Sequence, residues 1–226
     1  MSNHNANQCQ RCGTCCEKGG PGLHLQDRDL VDSGRIPLRC LFTLRRGELA
    51  RDNVKGRLVP LAQEIIKIKG QPGRWTCLFY HKKTRGCGIY EHRPLECRAL
   101  NCRDTRRIEA VYDTARLTRR DLLAGVDGLW DLVEDHEQRC SYGGLKSLVG
   151  DGSRGDRPGQ EAAILEILRY DAHVRQLTVE KGGMDERMLD FLFGRPLAES
   201  IKMFGIALKK ESGTYRLVFG SSMSGR

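Results

Sequence analysis

Ten cysteines, at positions 9, 12, 15, 16, 40, 77, 87, 97, 102 and 140, are the residues of this chain best suited to chemistry. In Cys9-Gln10-Arg11-Cys12-Gly13-Thr14-Cys15-Cys16, two residues separate the first three cysteines. That interval lets a tight turn aim two sulfurs at one ion at a bond length of about 2.3 Å. Gly13 can supply the positive φ such a turn uses. The C-x2-C-x2-C run has the ligand spacing of bacterial ferredoxins, which continue with x3-C-P. Here Cys16 follows Cys15 directly and no proline comes next. Neighbours in extended backbone point to opposite sides, so Cys15 and Cys16 are expected to serve different centres, or only one of them to be a ligand. The second group, Cys77, Cys87, Cys97 and Cys102, has spacings that are unspecific alone and gain meaning only beside the first.

The first dozen residues are polar and carry no export signal, and in a reducing compartment so many thiols read as metal ligands or redox groups rather than disulfides. The candidate metal ligands are Cys9, Cys12, Cys15, Cys16, Cys77, Cys87, Cys97 and Cys102. Cys40 and Cys140 stand apart and read as small buried hydrophobes. Arg93 and Arg98 flank the second group, where a guanidinium can donate to thiolate sulfur or hold an acidic group; support of the ligands is the preferred role. Tyr90 has a phenolic hydrogen to donate, with packing its commoner use. His81 and His92 are substitute ligands at most, and surface residues by default. Thiolate sets suit zinc and iron–sulfur clusters alike. Structural zinc favours paired C-x2-C knuckles, of which only the first group supplies one, so the eight thiols and the ferredoxin-like run tilt the reading to an iron–sulfur cluster, 4Fe-4S in type, with zinc close behind.

The combination of C-x2-C-G-x-C-C at 9 to 16, Cys77 with Phe79, and the block Cys87-x-Ile89-Tyr90-Glu91-x-Arg93-Pro94-x-x-Cys97-Arg98 with Cys102 resembles the CxxCxxCC, or YkgJ-type, cysteine-cluster family, whose members are described as zinc- or iron-chelating. The resemblance spans roughly residues 9 to 102. It implies metal or iron–sulfur binding and leaves the reaction open. One branch resembles flagellin lysine methylases, in which a related cysteine set accompanies methyl transfer; this chain is short for that branch and shows no glycine-rich nucleotide loop beyond residue 102.

The cysteine-bearing half must be held by short strands and turns. Leu58 to Lys69 is mixed in pattern, Gly70-Gln71-Pro72-Gly73 breaks it, and Arg74 to Tyr80 reads as a strand. Arg119 to His136 carries Leu122, Leu123, Val126, Leu129, Trp130 and Val133 at helical spacing, with Thr118 as cap and Asp121 as dipole partner. Ser141 to Gln160, rich in glycine, reads as a loop. From Gln160, Ala163, Ile167, Tyr170, Val174 and Leu177 recur as a helix stopped by Gly182 and Gly183. Two short helices follow, Met184 to Phe193 and Leu197 to Leu208, and then a strand at Thr214 to Phe219 bounded by Gly213 and Gly220. The expected fold is α+β: a small irregular cysteine-rich metal-binding domain over 1–117, packed as one globule against a mainly helical extension with a β-rich tail over 118–226.

Hydrophobic residues make up 39% of the chain, enough for a buried core, and no run approaches the roughly 18 apolar residues of a membrane span. A cytoplasmic protein without membrane contact is expected. Of the net charge of +9, residues 1–120 carry +12 and residues 121–226 carry −3. Each four-thiolate centre returns about two negative charges, so a solvated basic face compensating the centres is preferred over a nucleic-acid footprint, and aromatic residues are too sparse to favour stacking on single strands. Three functions remain: an iron–sulfur protein with a redox or enzymatic role, a zinc-stapled module binding nucleic acid or a protein partner, and an iron–sulfur-dependent methyltransferase, which rests on family analogy alone. No Ser-His-Asp set, P-loop or H-E-x-x-H helix is present, and the sequence specifies neither substrate nor oligomeric state.

Overall fold

The computed structural model describes residues 9–52, 55–150, 157–211 and 214–219. Short antiparallel strand pairs and helices make up the expected α+β class, with the cysteines concentrated in the N-terminal region and helices dominating the C-terminal half. The chain divides into two compact units, one built from the chain up to Thr43 together with Ile65–Gly125, the other from Leu44–Glu64 together with the chain from Val126 onward.

In the first unit, α1 (Thr14–Glu17) and α2 (Arg28–Asp32) flank an extended segment that serves as a central ribbon. On one side the ribbon meets β4 (Ile65–Ile68), with Leu23 N donating to Ile66 O at 2.9 Å and Ile68 N to Pro21 O at 3.1 Å. On its other side Leu25 N donates to Ala115 O at 2.8 Å and Leu117 N to Leu23 O at 3.2 Å. β1 (Leu41–Leu44) pairs with the free edge of β4. Alternation along β4 buries Ile66 and Ile68 with Leu23, Leu41 and Leu117, each at most 1% exposed, which is the pattern of a strand with one face on a core. The hairpin β5 (Tyr80–His81) and β6 (Gly86–Cys87) and the helices α3 (Leu95–Ala99), α4 (Arg106–Val111) and α5 (Arg119–Leu123) complete the unit. Thr118 caps α5 as expected, accepting from Asp121 N while Asp121 accepts from Thr118 N.

The second unit contains a hairpin, β2 (Leu49–Asp52) with β3 (Arg57–Pro60), then α6 (Leu129–Arg139), α7 (Tyr142–Val149), α8 (Arg157–Glu180), α9 (Leu189–Phe193) and α10 (Leu197–Ser200), and a closing hairpin, β7 (Ile206–Glu211) with β8 (Thr214–Phe219). Its apolar core joins Tyr142 and Leu145 of α7, Ile164 and Leu168 of α8, Leu197, Ile201, and Ile206 and Leu217 of the closing hairpin. A polar network runs through it. Asp171 accepts from His136 Nε2 at 2.8 Å, Arg175 Nε at 2.9 Å and Leu197 N at 2.9 Å. Arg45, fully buried, donates to His136 Nδ1 at 3.2 Å and to Cys140 O at 2.6 Å. Because His136 Nδ1 accepts from an arginine, its hydrogen resides on Nε2, the nitrogen facing Asp171.

Several elements differ from the sequence reading. Arg119–His136 is two helices, broken between Leu123 and Leu129 where Gly128 takes φ 70°. Ser141–Gln160 is no loop over 142–149: Ser141 caps α7 by accepting from Gly144 N, and burial of Tyr142 and Leu145 offsets the helix cost of Gly143 and Gly144, about 1 kcal/mol each. Residues 151–156 of that segment, and the bounding Gly213 and Gly220, lie outside the described residues. The helix ending at Gly182 and Gly183 is present, but its buried face is Ile164, Leu168, Asp171, Val174, Arg175 and Thr178, so of the expected apolar set Val174 is buried while Ala163, Ile167 and Tyr170 are half-buried and Leu177 is exposed. Leu197–Leu208 stops being helical after Phe204, and Ile206 begins β7, because pairing with β8 gives that apolar stretch its partner. Arg74–Tyr80 is not a continuous strand: Cys77 bridges to Gly70, a turn follows that Tyr80 N closes by donating to Cys77 O at 3.0 Å, and Tyr80 then begins β5.

Burial alone would raise the Asp171 carboxyl, but the hydrogen bond from His136 and the charge of Arg175 hold it below the usual carboxylate range. A depressed folded value means that its stabilisation is present above about pH 3.8 and is lost as pH falls through the lower folded value. Asp171→Asn leaves buried Arg175 without its counter-charge, and denaturant unfolding at pH 7 is expected to show a loss of about 3 to 5 kcal/mol. The same variant should have a shallower acid limb than the parent.

Candidate metal centre

Gly13, at φ 86°, is the residue on which the first cysteine group turns. It opens α1, with Glu17 N donating to Gly13 O at 2.9 Å, so Cys15 and Cys16 sit on a helical turn and not on extended backbone. Their sulfurs are therefore not thrown to opposite sides. The Cys16 thiol donates to Cys15, which holds Cys15 down to about 6 and Cys16 well above the ordinary thiol range. Ahead of the turn, Cys9 Sγ accepts from Arg11 N at 3.4 Å, and Cys12 Sγ lies 3.5 Å from Thr14 Oγ1. Thr14, through its side chain and backbone, lowers Cys12.

The second group is delivered by three elements. Cys77 N donates to Cys16 O at 2.7 Å, a direct backbone tie between the two groups. The β5–β6 pairing sets Cys87 opposite Tyr80. α3 carries Cys97, and its first turn is bound to the ribbon twice: Leu95 N donates to Asp27 Oδ1 at 2.8 Å, and Glu96 Oε2 accepts from Gly22 N at 2.7 Å.

The structure brings the eight thiols together. Cys102 interacts with Cys9, Cys12 and Cys15. Cys16 faces Cys77 and Cys97, while Cys97 feels Cys77, Cys15 and Cys87. Burial pushes Cys77 and Cys97 up, and the neighbouring thiols add to the rise. A metal bound by thiols takes the thiolate form of each, so binding here would release protons from the raised cysteines. The first set, with Cys12 and Cys102, is open to solvent, whereas Cys77 is buried. Among the described residues no three of the eight sulfurs lie within 4.8 Å of one another.

Residues 8–116, just under half the chain, match the model of the CxxCxxCC family, whose description reads "Putative zinc- or iron-chelating domain". This segment is similar to a CxxCxxCC domain. No curated protein and no solved structure matches the chain.

Within the CxxCxxCC domain, Tyr90 is sandwiched between Arg11, 4.0 Å from the ring centroid, and Arg93, 3.7 Å from it. Such contacts contribute about 0.5 to 1 kcal/mol each at exposed sites, and here they clip the first cysteine turn to the second block. Arg93 Nε donates to Tyr90 O at 2.7 Å, and Arg98 Nη1 to Arg93 O at 2.6 Å. These contacts give all three residues a role in shaping the loop before Cys97. His81 and His92 are exposed, on β5 and in the turn Tyr90–His92 respectively. Cys40 closes a turn after Pro37, its carbonyl accepting from Lys69 N.

One donor group outside the domain was not anticipated. His136, Cys140 and Asp171 offer ligand atoms within 4.8 Å of one another, all buried. Both nitrogens of His136 and both carboxylate oxygens of Asp171 are already engaged, Arg45 and Arg175 bring positive charge to the spot, and burial pushes the Cys140 thiol up to about 12. The two guanidinium groups stand where a cation would have to act, so the group is a core network. Glu96, Asp27 and His24, which position α3, were also missed; an acidic residue directly before Cys97 in a basic segment is the one signal that could have found Glu96.

A Cβ on Gly13 would overlap the hydroxyl and ring of Tyr80, and an L side chain at φ 86° adds strain. Gly13→Ala is therefore expected to push the two cysteine groups apart. Elemental analysis of the purified variant should find metal per chain well below the parent value, with the helical signal in circular dichroism largely kept.

Proposed function

We propose that the CxxCxxCC domain holds iron–sulfur clusters of the 4Fe-4S type and that the protein serves in electron transfer. The observation that carries this reading is the convergence of eight thiols and no other donor type from two stretches of the chain. In a cube each cysteine binds a different iron, so eight thiols match two four-cysteine clusters, and a donor set of thiolate throughout suits iron–sulfur.

The chain's own residues divide the work by position. Cys9, Cys12 and Cys102 form the solvent-facing side, and Cys77, Cys87 and Cys97 the side carried by the hairpin and α3, with Cys15 and Cys16 between them. When bound, the clusters would supply one-electron redox capacity. The exposed rim at Cys12 and Cys102 gives that capacity a short path to a partner, while burial of Cys77 withholds the inner side from water. Among the described residues no helix is long and apolar enough to cross a membrane.

Anaerobically purified protein should be brown, with broad visible absorption and iron and acid-labile sulfide in equal amounts. Colourless protein carrying stoichiometric zinc would overturn the reading. Cys97→Ala should bleach much of the absorption, and Cys140→Ala, in the core of the second unit, should leave its intensity per chain unchanged.

A further inference from the structure

A buried charge imbalance lies beside the cysteines. Glu96 accepts from Arg116 Nη1 at 2.6 Å and from Gly22 N at 2.7 Å, and Arg116 is 6% exposed. His24, fully buried, sets Nε2 3.3 Å from Arg116 Nη1 and Nδ1 2.6 Å from Thr114 O, and an imidazole supplies no negative charge. Glu96 is thus paired with Arg116, with His24 Nε2 3.4 Å from its Oε1. A further cation enters the same place from β4. Ile66 and Ile68 face the core, so Lys67 between them is directed to the opposite face of the strand. That face is not open water. Lys67 pairs through its backbone with Gly22, the residue that donates to Glu96, and Gly70, three residues on, pairs with Cys77. A Cβ on Gly22 would meet Arg116 Nη1 and Glu96 Oε1, so the face Lys67 shares with Gly22 is the one turned to that pair. Burial draws the Lys67 ammonium below the usual lysine range and Arg116 adds to the fall, while Glu96, Cys97 and Cys77 favour its charged form, so a nearby anionic centre is what would hold the charge on it.

Two cations to one carboxylate leave a surplus positive charge in a partly desolvated place, a costly arrangement unless an anion completes it. Nearby Asp27 does not supply it, since Asp27 faces Arg98 at 3.8 Å. Arg116 Nε is buried with no partner. The remaining negative charge available is that of the centre held by Cys77 and Cys97, because a four-thiolate site with its metal is a net anion. We propose that Lys67 is a positioning residue for this centre, its ammonium compensating the charge of the inner thiolates and raising the potential of the cluster they hold. The proposal rests on metal binding by the domain, and its electrochemical part on the iron–sulfur reading.

The test compares the full chain with Lys67→Met, which keeps length and removes charge, and Lys67→Arg, which keeps charge. All are purified anaerobically and assayed for iron, sulfide and zinc, for midpoint potential, and for the rate of metal release to a chelator. Lys67→Met is expected to have a more negative midpoint potential, because one positive charge less disfavours the reduced state, and to release metal about ten- to a hundredfold faster. Lys67→Arg should match the parent in both. A loaded Lys67→Met protein with parental potential and release rate would overturn the proposal, as would an arginine variant that behaves like methionine. Should the methionine variant fail to accumulate, Lys67→Gln removes the same charge with a polar end and is read in the same way. A parent that proves to be a zinc protein would remove the iron–sulfur reading while leaving Lys67 to be judged on the rate of zinc release.

Discussion

The first unit depends on a few hydrogen bonds that gather its cysteines from distant stretches of the chain. Cys97, Cys77 and Cys102 are each held above the ordinary thiol range, by burial first and by their neighbours after it, so each stands as a neutral thiol at neutral pH. The surrounding elements are slight. α1, α3, β5 and β6 have two to five residues each, far below the length at which a helix stands alone. They are held by point contacts: Cys77 N to Cys16 O, Glu96 to Gly22 N, Asp27 to Leu95 N.

The second unit buries charge in a different way. Arg45, His136, Asp171 and Arg175 hold one another and nearby backbone carbonyls within an apolar core, and Arg45 Nε, like Arg116 Nε in the first unit, is buried with no hydrogen-bond partner. The close donor set around Cys140 belongs to that network.

The clustering of the thiols was legible because cysteine type and local spacing mark candidate ligands. The C-x2-C-G-x-C-C run gave the second group its meaning, and Gly13 could be assigned its positive φ from the turn alone. What spacing could not carry was the path between the groups. Nothing local to Gly22 or Glu96 announces that they bond across 74 positions. The helical half was legible where apolar periodicity was unbroken and illegible where polar residues are buried: Asp171 and Arg175 lie on the inward face of α8, and no hydropathy pattern predicts a buried ion pair. Glycine content misled over 142–149 because it weighs backbone cost without the burial of Tyr142 and Leu145 that offsets it.

The basic character of the first half takes a physical meaning from this arrangement. A surface array of Lys and Arg speaks of partners, but Arg116 is buried and Lys67 half-buried, beside Glu96 and the inner cysteines, where a charge acts strongly on its neighbours. Part of the +12 carried by residues 1–120 is thereby turned into the unit and not to solvent. Backbone pairing of Gly22 with Lys67 and of His24 with Arg116 fixes both cations to the same short ribbon that binds Glu96, so their placement follows from the ribbon's register.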